Sequence, residues 1–160
     1  MKTKFLLCFI FCLLLNFNLS AEDVEIYSDN IKILDDNNII KSTNTKASIK
    51  EKELFLEGKI SIYDKGKQEI TLTGNAIFID KLKNLKINAE EAIYDKKIDT
   101  LITKGITKIN IEDKYEILSK NMYYDRTSQI IFSNNETTIN DSLGNIYNIQ
   151  DTFKLNLTTE

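Results

Sequence analysis

The sequence has no histidine, no tryptophan and no proline, and among its 160 residues only two cysteines and one arginine. Without histidine there is no imidazole base for a serine or threonine nucleophile. Both cysteines, Cys8 and Cys12, lie near the start. The rest of the chain therefore holds no nitrogen or sulfur ligand set for zinc and no disulfide framework. Stability must come from burial, and roughly 140 residues suffice for one core. Catalysis would fall to carboxylates, lysine and tyrosine. The adjacent pairs Glu90-Glu91 and Asp35-Asp36 would point to opposite faces of a strand, so spacing alone brings neither pair to one bond. No G-x-G-x-x-G or P-loop pattern occurs. The sequence predicts no catalytic residue, no metal site and no cofactor.

Arginine is scarce because lysine replaces it. The chain has 20 Lys, 25 Ile and 17 Asn against Arg126 alone, a bias expected of an A+T-rich genome. The lysines are therefore poor evidence for a nucleic-acid partner, which would need a local basic cluster. They alternate instead with acids. Taking Lys2 and Lys4 from the 21 basic residues leaves 19 against 24 acidic, a charge of −5. No nucleic acid partner is expected.

Long apolar runs are also missing, with one exception. Lys2 and Lys4 precede the run Phe5 to Leu15, and a polar exit follows from Asn16 to Ser20. A basic start, a short apolar run and a polar exit describe a secretory signal peptide. A transmembrane helix would need about 20 apolar residues. The reading is a signal peptide over 1–21, cut near Ser20 or Ala21, and one domain over 22–160. An uncleaved leader would instead be an anchor.

What the chain does have is alternation. From Leu54 to Ile111 apolar and polar residues alternate in runs that break at short polar stretches. That is the period of half-buried antiparallel strands. The expected faces hold Leu54, Leu56, Ile60 and Ile62; then Ile70, Leu72, Gly74, Ala76 and Phe78; then Leu85, Ile87, Ala89 and Ile93; then Leu101 to Ile111. Three Tyr-Asp pairs, Tyr63-Asp64, Tyr94-Asp95 and Tyr124-Asp125, recur at spacings of 31 and 30 residues. Such a period points to stacked β units. Only five glycines are present, and Gly58, Gly74 and Gly105 sit inside the runs. Mid-strand glycines mark bends or bulges. At one level of successive hairpins they would crease the sheet and leave its inner face apolar. Tyr147, Ile149, Phe153, Leu155 and Leu157 read as one final strand.

The repeat Ala89-Glu90-Glu91-Ala92-Ile93-Tyr94-Asp95, the half-repeat Thr73-Gly74-Asn75-Ala76 and the leader together resemble the OstA-like family of periplasmic lipopolysaccharide-transport proteins. The resemblance covers roughly Val24 to Leu157. It implies an all-β fold, a twisted V-shaped β-jellyroll of antiparallel repeats of about 30 residues with an open apolar interior. It implies a non-enzymatic periplasmic carrier that shields the lipid A acyl chains of lipopolysaccharide between the inner and outer membranes. Its implied partners are lipopolysaccharide, LptC-like and LptD-like β-jellyroll domains, and further copies of itself, head to tail. The lipid-contacting candidates are Leu54, Leu56, Ile60, Ile62, Ile70, Leu72, Phe78, Leu85, Ile87, Ile93, Ile109, Ile117, Phe132 and Ile149. The assembly edge would be Tyr147, Phe153, Leu155 and Leu157. Two other readings stay open. One is a structural secreted β-repeat protein with a dry core. The other is an LptC-like, membrane-anchored component of the same system, if the leader is kept.

Overall fold

The structure, a computed structural model, describes residues 24–158; the expected leader and its boundary lie outside them. The described residues form one sheet of 13 strands, paired antiparallel throughout. Five long strands make its middle: β3 (Ile39–Ile49), β4 (Leu54–Asp64), β5 (Glu69–Asp80), β6 (Leu85–Asp95) and β7 (Thr100–Ile111), preceded by β1 (Val24–Tyr27) and β2 (Asn30–Leu34). Then come β8 (Tyr115–Lys120), β9 (Tyr123–Asp125), β10 (Ile130–Ser133), β11 (Thr137–Asp141), β12 (Ile146–Ile149) and β13 (Phe153–Asn156).

The sheet is creased. At one end β1 and β2 pair with opposite halves of β3. At the other, β8 and β9 pair with opposite halves of β7. From there β11 and β12 continue beyond β8, while β10 and β13 continue beyond β9. The result is two flanks, the first from β1 to β12 and the second from β2 to β13, which share the long strands. The crease runs where those strands change register, near Glu57/Ile60, Thr73/Ala76 and Ala89/Glu91. Gly74 and Gly105 take φ of +75° and +76° there, and Asn44, Asn75 and Asn121 are left-handed as well. Glycine adopts that conformation without a Cβ clash, and asparagine tolerates it. The expected crease at the glycines is thus present.

Hairpin tips stack along both outer margins. In the second flank the Tyr-Asp repeat sets them. Each tyrosine points inward, and each aspartate turns outward to cap its turn. Asp64 accepts the Lys67 N–H, Asp95 those of Lys97 and Ile98, and Asp125 that of Ser128. Successive tips are joined by backbone bonds from Lys65 to Asn38, Lys96 to Gln68 and Arg126 to Asp99.

Two expectations need correction. The run from Tyr147 to Leu157 is two strands, not one. Its parts β12 and β13 fall on different flanks, separated by the polar break Gln150-Asp151-Thr152. In addition, β11 (Thr137–Asp141) was not expected. Its Thr and Asn residues carry no apolar alternation, and it is held by partners on both sides.

Candidate functional site: the interior between the flanks

Between the flanks lies the apolar interior. In the first flank, cross-strand partners place Ile49, Leu54, Leu85 and Ile111 in one row and Leu56, Phe78, Ile87, Ile109 and Ile117 in the next. In the second flank, Tyr63, Ile70, Tyr94, Leu101, Tyr124 and Ile131 share a row. The rows meet across the interior. Phe78 lies 5.6 Å from Tyr94 and 6.4 Å from Tyr124, centroid to centroid.

Nearer the crease the inner side chains are small. Ser42, Thr45, Ser61, Ala92, Thr103, Thr107, Ser119 and Ser133 are buried there. Small residues let the flanks converge. Their hydroxyls satisfy one another, as in Ser42 with Ser61 at 2.6 Å and Thr103 with Thr107 at 2.7 Å. Buried hydroxyls without such partners would each cost about 1–3 kcal/mol.

Nine of the fourteen expected contact residues face this interior and are buried: Leu54, Leu56, Ile70, Leu72, Phe78, Leu85, Ile87, Ile109 and Ile117. Ile149 packs half-buried against the same cluster. The other four point outward. Ile60 and Ile62 are 41% and 38% exposed, and Ile93 and Phe132 sit on the outer surface of the same flank. For Ile60, Ile62 and Ile93 the reason is the crease; β10 pairs in continuous register, and Phe132 lies between its inward neighbours. In β4 the inward positions run Leu54, Leu56 and then Ser61, so parity flips after Gly58. In β6 they run Leu85, Ile87, Ala89 and then Ala92, so parity flips at Glu90. In β10 the inward residues are Ile131 and Ser133. Strict alternation cannot register such a bulge. The tyrosines of the repeat were missed as interior residues for the same reason.

The interior is closed in the middle and opens at the ends. Ile31 and Ile33 of β2 share the inner face with Ser42 and Ile40, yet are 51% and 57% exposed. At the far end Tyr147 of β12, opposite Ile139, is 50% exposed.

Along the rim opposite the crease, polar groups bridge the flanks. Asp80, fully buried, ends β5 of the first flank. It accepts Arg126 Nε at 2.7 Å and the Tyr124 hydroxyl at 3.1 Å, both from the second flank. Arg126 also donates to Asp99 at 2.8 Å and to the Lys52 carbonyl at 3.3 Å. Lys52 reaches Asp99 at 3.5 Å and the Tyr94 hydroxyl at 3.4 Å. Lys83 donates to Gln129 at 2.6 Å. Burial opposes the Asp99 charge, but the Tyr94 hydroxyl, Arg126 and Lys52 outweigh it and hold its carboxyl below the usual range. Burial, then the Asp80 charge, pushes the Tyr124 phenol far up, so it stays a donor. Among the described residues no three His, Cys, Asp or Glu could together hold a metal ion. No described helix is long and apolar enough to cross a membrane.

No family model matches the sequence, and no curated protein matches it. A solved structure does match: LptH of Pseudomonas aeruginosa, described as the LptA homologous periplasmic component of the conserved lipopolysaccharide transport device. The identity is 12% and the TM-score 0.62, over 80% of this chain and 94% of LptH. The chain has the fold of LptH, the creased β-jellyroll that the sequence resemblance implied.

Proposed function

We propose that this chain carries lipopolysaccharide across the periplasm, holding its acyl chains between the two flanks. The observation that carries the reading is a continuous apolar interior with inward-facing side chains exposed at both ends. An acyl chain in water costs about 0.8 kcal/mol per CH₂. Shielding it needs only apolar area, and no catalytic step is part of the proposal. The shared fold with a periplasmic transport component and the leader sequence support the location. In this reading the leader is cleaved near Ser20 or Ala21, and residues 22–160 are the working domain. LptC-like and LptD-like β-jellyroll domains cap the carrier at the two membranes.

The closed middle favours a competing reading, a structural β-repeat protein with a dry core. One experiment separates them. The protein is purified with a photo-crosslinking residue at Phe78 or Ile87, which face inward, or at Ile62 or Lys86, which face outward. The carrier predicts lipopolysaccharide adducts at Phe78 and Ile87 and few at Ile62 and Lys86. No adduct at any position, together with no co-purifying lipid, would leave the dry-core reading standing.

A further inference from the structure

We infer that the rim opposite the crease is a latch fastened on Arg126, and that acyl chains load sideways through this rim when it parts. The inference rests on the carrier reading. On one long side the wall is the crease, where the backbone of five strands runs unbroken from flank to flank. On the other long side only hairpin tips meet, and no strand pairing crosses among the described residues. Among the described residues side-chain bonds bridge this side: those of Arg126 to Asp80, Asp99 and the Lys52 carbonyl, and beside them Lys52 to Asp99 and Tyr94 and Lys83 to Gln129.

An amphiphile sets a further condition. Its chains belong in the interior, but its hydrated head cannot follow them past Leu54, Phe78 and Leu101, which are fully buried. In a loaded carrier the junction of head and chains must cross the wall. The rim is the part of that wall that can separate without breaking hydrogen bonds between strands.

The chemistry of the rim fits separation. Asp80 sits in an inner row whose neighbours are Ile49, Leu54, Leu85 and Ile111. An aliphatic residue there would pack as the neighbours do. A buried ion pair is seldom more stable than a well-packed apolar substitute, so core stability does not account for the carboxylate. Reversibility does. An apolar seam exposes unpaired apolar surface when it opens, whereas separated carboxylates and cations are rehydrated. One oxygen of Asp80 already lacks a protein partner.

The test uses the rim itself. Residues 22–160 contain no cysteine, so a cysteine pair can be introduced cleanly once the leader is removed or its cysteines are replaced by serine. Leu82→Cys on a first-flank tip and Thr127→Cys on a second-flank tip are exposed sites. Spin labels there should give one short, narrow distance. In Arg126→Ala the distance should lengthen and broaden, while a control pair within the first flank, at Leu82 and Asp113, stays fixed. If Arg126→Ala does not fold, Asp80→Asn carries the same measurement. A folded variant with the parent's distance across the rim would overturn the latch. The second arm bridges the same cysteines with a reducible thiosulfonate linker and offers lipopolysaccharide. Capture should be lost on bridging and return on reduction. Equal capture by both forms would overturn sideways loading and leave the carrier reading intact. No capture by either form would overturn the carrier reading and sideways loading with it, while the distances still decide the latch.

Discussion

Asp99 shows how one residue can carry a pH signature for the whole rim. Its carboxylate is 23% exposed and faces Arg126, Lys52 and the Tyr94 hydroxyl. Burial penalises the charge, but these three outweigh burial and lower its folded value. An unfolded aspartate titrates near about 3.9. Between the two values the unfolded chain binds more protons, so stability rises with pH there. The contribution is complete above the unfolded value and is lost as pH falls through the lowered one. Asp99→Asn removes that arm. The turn-capping Asp64, Asp125 and Asp141 are lowered too, by hydrogen bonds within their own turns, and remain in the variant. Urea midpoints from pH 7 to pH 3 should therefore fall less steeply in Asp99→Asn below about pH 4. Identical slopes in both proteins would refute the assignment. No sequence pattern marked this cluster. Arg126, Asp99, Asp80 and Lys52 are spread over 75 positions of the chain, and only the stacking of tips brings them together. One clue was present: in a chain that otherwise uses lysine throughout, position 126 keeps the guanidinium that can bond two carboxylates at once.

At the scale of the strand, the crease decides what was legible. From Leu54 to Ile111 strands and turns were readable because each run alternates and each break carries Asp, Asn or Gly, whereas β3 is rich in Ser and Thr and its tip, Lys50 to Glu53, has none of these turn residues. The Tyr-Asp period was readable because three successive tips of the second flank are capped by the same device. Face assignment was readable in β5 and β7, where the inward positions on either side of the crease are four positions apart: Leu72 to Ala76, and Thr103 to Thr107. It failed in β4 and β6, where they are three positions apart, Gly58 to Ser61 and Ala89 to Ala92, and parity reverses. A one-residue slip exchanges the faces of a strand, so Ile60, Ile62 and Ile93 lie outside. The glycines that mark the crease should be hard to replace. Gly105 has φ of +76°, and a Cβ there would lie 2.3 Å from Glu90 Oε2. The carboxylate can swing away, so backbone strain dominates, at about 1–2 kcal/mol for a residue with a Cβ. Gly105→Ala should lose about that much in urea unfolding, and Gly105→Asn less, since asparagine tolerates the conformation. An alanine variant as stable as the parent would show that the crease does not depend on this backbone geometry.

At the scale of the whole molecule, four strands pair on one side only among the described residues, β1 and β2 at one end and β12 and β13 at the other. Exposed edges invite strand addition. The inner-face residues exposed at the ends, Ile31 and Ile33 at one and Tyr147 at the other, would then join one interior to the next. Because the two ends differ, such a contact would be head to tail and would not close by two-fold symmetry. Of the expected edge residues, Phe153 and Leu155 turn into the molecule and Tyr147 stands at its end, so the backbone of β13 is the part left to pair. Leu157 N–H donates to the Gln129 carbonyl at 2.9 Å. Donors alternate along an antiparallel strand, so the Asn156 N–H, opposite Ile130 in a non-bonded pair, points outward from the edge. Asn156→Pro removes the backbone donor on the side away from β10, together with the bonds the Asn156 side chain accepts from Thr158, and keeps the backbone bonds to β10. Sedimentation of the parent should show mass growing with concentration, and the proline variant should stay small, with the same β-sheet dichroism. If both proteins give one size distribution across a wide concentration range, β13 is not the joint. The outward N–H of Asn148 on β12, the edge of the other flank, would then be the next to remove.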